Sequence, residues 1–215
     1  MERISLYNVL PLVFTDIRND IESDVWKQEI HFDKANSYLI EAASGKGKSS
    51  FCSYVYGYRK DFEGSIFFDT VNLTGIKPDG WDSVRILSLS LLFQGLSLFP
   101  ELTALENVQL KNNLTHYKEV RYITEMFEML GIKDKLNEKI GKMSWGQQQR
   151  VAIIRCLCQP LDFIILDEPI SHLDDHNASV IAELVGKEAR LQGAGIIVTS
   201  IGKHLPFEYN KRLAL

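Results

Sequence analysis

A short run rich in glycine and lysine constrains the fold of this chain more than any other feature. The run Ala42-Ala43-Ser44-Gly45-Lys46-Gly47-Lys48-Ser49 fits the pattern G-x-x-x-x-G-K-[ST] at every fixed position except the first, where Ala42 replaces glycine. Apolar residues over 37–42 predict a strand before it, and a helix is predicted from Lys48 onward. A surface turn of similar composition is the alternative. The strand–loop–helix context favours a phosphate-binding loop.

Each residue type in this loop suits one part of a nucleoside triphosphate. Glycines at 45 and 47 let backbone N–H groups turn inward around phosphate oxygens, and the helix that follows adds its positive end. Lys48 is predicted to reach the β and γ phosphates, and the Ser49 hydroxyl to bind Mg²⁺. The predicted contacts with ATP come from the whole segment, namely Ser44, Gly45, Lys46, Gly47, Lys48, Ser49 and Ser50.

A second candidate site lies where a buried strand ends. Four apolar residues, 163–166, lead directly into Asp167 and Glu168, which places both carboxylates at the carboxyl edge of a sheet. Asp167 is suited to hold Mg²⁺, and Glu168 to polarise the water that attacks the γ phosphate. A solvated strand end is the alternative for an isolated acidic pair. The phosphate loop upstream favours the catalytic interpretation.

The remaining pattern predicts an α/β fold with a mainly parallel sheet flanked by helices. Apolar alternation predicts early strands around residues 4–6 and 25–32 and a strand at 65–68. Gly75, Pro78 and Gly80 indicate a loop. Helical periodicity fills 100–142, and further helices are predicted at about 147–158 and around 180–185, with strands at 163–166 and 195–199. The expected architecture is an antiparallel N-terminal β part, a parallel core and an inserted helical lobe.

Bulk composition excludes several classes of partner and location. Lys and Arg number 24 against 28 Asp and Glu, a net charge of −4 that offers no basic surface for nucleic acid. The longest apolar run, 86–93, is far shorter than the roughly 20 residues needed to span a bilayer. Three cysteines, Cys52, Cys156 and Cys158, form no even-numbered disulfide framework, so reduced thiols in a cytosolic protein are expected.

With the phosphate loop and the acidic pair placed, the chain resembles the ATP-binding cassette (ABC) family of P-loop ATPases over nearly its whole length. The stretch Leu92 to Val108, which contains Phe93-Gln94-Gly95, resembles the glutamine loop of that family. The resemblance implies that Gln94 contacts Mg²⁺ and the attacking water while its loop touches a membrane partner. The family's first strand ends in an aromatic residue that stacks on adenine, which makes Phe14 the candidate; Tyr7 lies close by, and a core role is the alternative for Phe14.

Two further motifs carry the resemblance. Met143-Ser144-Trp145-Gly146-Gln147 resembles the family signature L-S-G-G-Q, and Ser171-His172-Leu173-Asp174 resembles its D-loop. The resemblance implies that Ser144, Gly146 and Gln147 meet the γ phosphate of ATP held by the opposite subunit, and that Asp174 takes part in signalling across the dimer. A helix N-cap is the alternative for Ser144 alone.

The chain departs from the family pattern at two positions. Trp145 replaces the first glycine of the signature, and Ser200 stands where the family usually places a switch histidine. A serine can donate one hydrogen bond to the γ phosphate but cannot carry positive charge. Such single contacts are typically worth on the order of 10² to 10³ in rate, so slow hydrolysis is expected. His204 could replace the missing imidazole; an exposed loop position is the alternative.

The resemblance implies one ABC ATPase domain over residues 1–215, with a β-subdomain and core at 1–95 and 150–215 and a helical lobe at about 96–149. Its expected function is the ATP-hydrolysing subunit of a transporter that binds ATP and Mg²⁺, as a homodimer or paired with another ABC subunit. It would drive a separate integral membrane permease from the cytoplasmic face of the cell membrane. The alternative is a nucleotide-binding regulatory module whose hydrolysis is weak or lost.

Overall fold

Five parallel strands form the central sheet of the molecule, in the order β6-β7-β8-β3-β9. The structure is a computed structural model that describes residues 1–170 and 173–215. A second sheet of four antiparallel strands, in the order β2-β1-β4-β5, packs beside it. The strands within the described residues are β1 Arg3–Pro11, β2 Glu29–Asp33, β3 Ser37–Glu41, β4 Phe62–Phe68, β5 Val71–Asn72, β6 Leu89–Leu92, β7 Phe163–Asp167, β8 Gly195–Ser200 and β9 Lys211–Ala214.

Helices connect the parallel strands and cover the sheet. Within the described residues they are α1 Lys48–Val55, α2 Pro78–Leu87, α3 Ala104–Asn112, α4 Val120–Met129, α5 Trp145–Leu157 and α6 Asp175–Gln192. Parallel strands need such crossover connections, because a short turn cannot return the chain to the start of the next strand. The predicted α/β class, with a mainly parallel sheet and an antiparallel N-terminal part, is confirmed.

The strand β7 shows how the core is divided. All five of its residues are buried, and successive side chains point to opposite faces of the sheet. Phe163 and Ile165 belong to the core shared with α1 and the antiparallel sheet. Ile164 and Leu166 belong to the core shared with α5 and α6. Burial on both faces explains why this strand is a continuous apolar run in the sequence.

The helical lobe follows β6. A capping box begins α3, in which the Thr103 side chain accepts from the Glu106 N–H and the Glu106 carboxylate accepts from the Thr103 N–H. The apolar face of α4, formed by Ile123, Met126 and Phe127, is buried. Gly131 has φ +63° just after this helix, a conformation typical of a helix C-terminus. The exact division of the chain at residues 96 and 149 stays a prediction.

Two local predictions were wrong. The region of Gly75, Pro78 and Gly80 is not only a loop, because Pro78 is the first residue of α2, a position where its missing N–H costs nothing. Val25 lies in a turn held by Ser23, whose hydroxyl accepts from the Val25 N–H at 3.0 Å, so the second strand begins only at Glu29.

The N-terminal strand also ends earlier than the family resemblance implied. β1 stops at Pro11, whose ring has no N–H to continue a strand ladder. Phe14 therefore lies in the 3₁₀ segment Leu12–Asp20 rather than on the strand. The strand β9 was not predicted.

Candidate nucleotide-binding site

The phosphate loop connects β3 to α1, as the motif requires. Gly45 and Gly47 have φ +79° and φ +99°, values that side chains rarely adopt. Gly47 also lies under two aromatic rings, because a Cβ there would be 3.1 Å from Trp26 Cζ2 and 3.2 Å from Phe14 Cε2. The Trp26 indole N–H donates to the Lys46 carbonyl at 3.2 Å. Two aromatic side chains thus support the loop from one side and fix its backbone.

Lys48 is the central cation of the site. Its side chain is 4% exposed, although it is charged. The ammonium donates to the carbonyls of Ala42 and Ala43 at 2.9 and 3.0 Å and lies 3.5 Å from Glu168 Oε1. A buried lysine needs such partners, because an unpaired charge is costly away from water. The side chain is therefore held between the phosphate loop and the acidic pair.

The acidic pair ends β7 with two different environments. Asp167 is 4% exposed, and its Oδ1 accepts from the Thr199 hydroxyl at 2.6 Å. Glu168 has φ +51°, in the left-handed region, and its N–H donates to the Thr199 carbonyl at 3.2 Å. A strained backbone at this position costs free energy and is typical of residues whose side chain must be aimed. It turns the Glu168 carboxylate toward Lys48 and Gln94.

Gln94 comes from the loop after β6 and reaches the same place. Its amide Nε2 lies 3.4 Å from Glu168 Oε2. The loop has Leu96 and Ser97 at φ +57° and φ +50°. Arg155 of α5 holds this conformation by donating to both of their carbonyls at 2.7 Å. The glutamine is thereby attached to the helix that begins with the signature segment.

These groups surround one cavity of about 320 Å³. A second cavity of about 230 Å³ adjoins it and adds Lys46 and Trp26 to the walls, with Phe14 and Ser44 lining both. The structure therefore brings together the phosphate loop, the glutamine, the glutamate and the aromatic candidate Phe14. The residues lining the first cavity are Val13, Phe14, Ser44, Gly45, Gly47, Lys48, Ser49, Ser50, Gln94, Glu168 and Ile201.

The signature segment lies apart from this cavity, at the start of α5. The Ser144 hydroxyl accepts from the Gln147 N–H at 3.4 Å, and the Gln147 side chain accepts from the Ser144 N–H at 2.9 Å, forming a capping box. Trp145 is 45% exposed beside them. A Cβ at Gly146 would lie 3.1 Å from Leu173 Cδ2, so the signature contacts the D-loop region of its own chain.

Asp174 caps α6 and is not among the residues that line the cavity. Its carboxylate accepts from the backbone N–H of Asn177 at 2.8 Å and from the Asn177 side chain at 2.7 Å. The first of these hydrogen bonds is the main reason that the pKa of Asp174 lies below its usual value. Asn177 in turn accepts from Arg150 of α5 at 3.0 Å. The preceding D-loop residues Ser171 and His172 lie outside the described residues.

Comparison with known proteins agrees with this geometry. The sequence profile of the family described as ABC transporter matches residues 29–171, which is more than half of the chain. The chain belongs to the ABC transporter family.

Relatives of this ABC cassette are themselves named as ATP-binding proteins of transport or lipoprotein-releasing systems. It is 34% identical over 175 residues to the uncharacterized ABC transporter ATP-binding protein YclH of Bacillus subtilis (strain 168), covering 80% of this chain and 76% of that protein. It is 30% identical over 186 residues to the lipoprotein-releasing system ATP-binding protein LolD of Syntrophotalea carbinolica, covering 85% and 81%. The resemblance to the lipoprotein-release branch is thus confirmed at the level of sequence similarity.

Solved structures show the same fold. The dimeric ATP-binding cassette MJ0796, a bacterial ABC transporter cassette, matches with a TM-score of 0.75 and 26% identity over 92% of this chain and 87% of that chain. Its post-hydrolysis state, a dimer bound to ADP and Pi, matches with a TM-score of 0.74 and 25% identity over the same shares. This chain is therefore an ABC ATPase domain by fold and by sequence, and ATP is the nucleotide of its family.

Ser200 and His204, the residues that bear on the missing switch histidine, occupy different environments in this cassette. Ser200 is 1% exposed, and its hydroxyl donates to the Lys203 carbonyl at 2.5 Å, within the turn after β8. His204 lies farther along that turn, where its Nδ1 is 3.0 Å from the Leu205 carbonyl and its ring packs edge-on against Tyr209. Roles for Ser200 and His204 in the reaction stay predictions.

The side chains near the phosphate loop fit a magnesium ion that is bound together with a nucleotide. Ser49, Gln94 and Asp167 can all offer oxygen atoms, the donor type that Mg²⁺ prefers. Within the described residues, no group of three or more His, Cys, Asp or Glu side chains could hold a metal ion alone. A Mg²⁺ ion bound here would take its remaining ligands from phosphate oxygens and water.

Sequence reasoning missed several residues that shape the site. Trp26 supports the phosphate loop, Thr199 contacts the acidic pair, and Val13 and Ile201 line the cavity. Thr199 could have been found from its position, because it ends a buried strand that neighbours the strand carrying Asp167. Trp26, Val13 and Ile201 belong to no sequence motif. Only tertiary packing brings them to the nucleotide site.

Proposed function

We propose that this chain is the ATP-hydrolysing subunit of a membrane transporter and that it dimerises around ATP to drive a separate permease. The observation that carries the proposal is the meeting of Lys48, Gln94 and Glu168 in one cavity at the phosphate loop. The same three groups serve binding and turnover in the proposed reaction. A module that only binds nucleotide would not need a glutamate aimed at the phosphates.

The proposed reaction assigns one task to each group. Backbone N–H groups of the loop from Ser44 to Ser50 bind the phosphates, and Lys48 neutralises charge on the β and γ phosphates. Ser49, Gln94 and Asp167 would hold Mg²⁺, which supplies further charge neutralisation when it is bound. Glu168 accepts a proton from the attacking water, and Gln94, next to it, orients that water.

Phe14 is proposed to stack on the adenine ring. Its half-buried ring already lies against the phosphate loop and borders both cavities. A planar, polarisable side chain next to the phosphate site suits a nucleobase.

The second half of each site is proposed to come from another subunit. Ser144, Gly146 and Gln147 lie at the N-terminal end of α5, where Ser144 is exposed and the other two are half-buried and where the positive end of the helix favours an anion. They do not line the cavity of their own chain, so they would bind the γ phosphate of an opposing copy or of a paired ABC subunit, with Asp174 at the same interface. The dimeric solved relatives support this arrangement.

The permease is proposed to be a different protein chain. No helix within the described part of the chain is long and apolar enough to cross a membrane. Attachment to a permease would place this subunit at the inner face of the cell membrane, and the relatives named for lipoprotein release suggest a permease of that type. Co-purification from detergent-solubilised membranes tests this, and the absence of any integral membrane partner would contradict a role in transport.

ATP hydrolysis is tested with Glu168→Gln, which keeps the shape of the side chain and removes the base. We expect the wild type to hydrolyse ATP and the variant to lose on the order of 10²-fold or more in kcat, the usual value of a general base. ATP binding should persist in both. Glu183→Gln, on the exposed face of α6, is the matched control and should keep the wild-type rate. Equal rates for the wild type and Glu168→Gln would favour the regulatory module instead.

We also propose that turnover is slow because Ser200 replaces the switch histidine. The buried Ser200 hydroxyl donates within its own turn, so it supplies no positive charge to the phosphates. Ser200→His is expected to raise kcat by about 10-fold or more, with ATP affinity unchanged. An unchanged kcat in a variant that still binds ATP would contradict this explanation.

A further inference from the structure

The penultimate residue of β8 contacts both members of the acidic pair. Thr199 is fully buried, and the register of the parallel sheet places it directly beside Asp167. Its hydroxyl donates to Asp167 Oδ1 at 2.6 Å, and its carbonyl accepts from the Glu168 N–H at 3.2 Å. One residue therefore holds the side chain of the first carboxylate and the backbone of the second.

The surroundings of Thr199 restrict where its hydroxyl can point. A β-branched side chain on a strand has few accessible χ1 rotamers, so packing of its methyl group restricts where the hydroxyl oxygen lies. Cys52 of α1 lies against Thr199 and Asp167; it is 2% exposed, and burial, followed by the charge of Asp167, raises the pKa of its thiol. The Asp167 carboxylate accepts the hydrogen bond of the Thr199 hydroxyl.

We propose that Thr199 is the positioning residue of the metal site, which it serves by holding one oxygen of Asp167 so that the other remains available to Mg²⁺. This inference rests on the proposed function. A carboxylate with one oxygen fixed by a donor presents its second oxygen in a narrow range of directions. Partners that orient a ligand in this way typically change metal affinity by about 10- to 100-fold when they are removed.

The experiment compares Thr199→Val, which has nearly the same shape without the hydroxyl, with the wild type. Mn²⁺ replaces Mg²⁺ as the probe, and its binding in the presence of ADP is measured by electron paramagnetic resonance. We expect Thr199→Val to weaken Mn²⁺ binding by about 10-fold or more. ADP binding in EDTA, measured by calorimetry, should stay at the wild-type value because no metal takes part.

Two further variants separate positioning from a general structural role. Thr199→Ser keeps the hydroxyl and should restore most of the Mn²⁺ affinity. Ser90→Ala is the matched control, because Ser90 is a buried hydroxyl on β6 that donates to the Cys156 carbonyl at 2.9 Å. It should leave Mn²⁺ binding unchanged. If Thr199→Val fails to fold, Thr199→Ser and Thr199→Ala provide the same comparison, since they differ only by the hydroxyl.

Three outcomes overturn the inference: wild-type Mn²⁺ affinity in Thr199→Val, an equal loss of ADP binding in EDTA, or no rescue in Thr199→Ser. The proposed function fails in a different way, namely when the wild-type protein binds no ADP or hydrolyses no ATP. A wild type that hydrolyses ATP, together with an unaltered metal response in Thr199→Val, would leave the proposed function intact and refute the role of Thr199 alone.

Discussion

A buried carboxylate between the helical lobe and α6 allows a quantitative test of the packing. Glu188 is fully buried, and it accepts from the Tyr122 hydroxyl and from the Lys118 ammonium, each at 2.6 Å. Tyr122 lies in the first turn of α4 and Lys118 lies just before that helix, whereas Glu188 lies on α6. The cluster therefore connects two parts of the molecule that are about 70 residues apart in sequence.

The substitution Tyr122→Phe removes one donor and leaves the ring in place. A hydrogen bond to a charged group contributes about 1.5 to 3 kcal/mol, so we expect the free energy of unfolding to fall by about 2 kcal/mol. Lys118→Met should cost more, about 3 to 5 kcal/mol, because it leaves a buried carboxylate without a cation. Tyr122→Phe therefore measures the hydrogen bond, and Lys118→Met measures the cost of an uncompensated charge.

Equilibrium unfolding in urea, followed by tryptophan fluorescence, measures both changes. Arg121→Met is the control on the same helix, because its ion pair with Glu125 at 3.2 Å is exposed and should contribute no more than about 0.5 kcal/mol. A loss below about 0.5 kcal/mol in Tyr122→Phe, or an equal loss in Arg121→Met, would refute the reasoning that burial gives this cluster its strength.

Three other predictions follow from burial and backbone geometry. Burial, followed by the hydrogen bond to Glu188, raises the pKa of Tyr122 from 10.0 to about 12. The free energy of unfolding should therefore fall as the pH rises from about 10 to 12, and it should fall less over this range in Tyr122→Phe. Burial raises the pKa of the Cys158 thiol to about 12, and it also raises the pKa of Cys52 and Cys156. Because the thiolate is the reactive form, iodoacetamide should label these cysteines only after the protein is denatured. Gly64→Ala should lower the free energy of unfolding in urea by about 1 to 3 kcal/mol, because Gly64 has φ +87° and a Cβ would lie 2.4 Å from the Asn8 carbonyl oxygen. Gly75→Ala is the control and should not lower it, because a Cβ at Gly75 would meet no atom within 4 Å.

The sequence predicts elements well where one local rule acts alone. The helix after the phosphate loop and the buried strand before Asp167 both follow from short-range signals, namely a glycine-rich turn and an unbroken apolar run. It fails at α2, because glycine and proline indicate a loop while proline also fits the first turn of a helix. It also fails at β9, where charged and apolar residues mix and only pairing with β3 decides the structure.

The same distinction holds in the nucleotide site. Lys48 and Glu168 belong to contiguous motifs, so their places at the start of α1 and just after β7 could be predicted. The left-handed backbone at Glu168 and the aromatic support from Trp26 depend on contacts between distant segments. A sequence pattern specifies which chemical groups arrive at the sheet edge, whereas the distances between them depend on packing that no local pattern encodes.

Backbone hydrogen bonds at the end of β8 connect the phosphate loop to the acidic pair without using the side chain at position 200. The Ser200 carbonyl accepts from the Ala42 N–H at 3.2 Å, and the Thr199 carbonyl accepts from the Glu168 N–H at the same distance. These two backbone hydrogen bonds, together with the Lys48–Glu168 ion pair, join the phosphate loop to the acidic pair. Neither hydrogen bond uses the side chain at position 200. If Ser200 occupies the switch position, as proposed, replacing histidine with serine removes a charge from the reaction and leaves these contacts in place, so ATP affinity and hydrolysis rate should respond separately to substitutions at this position.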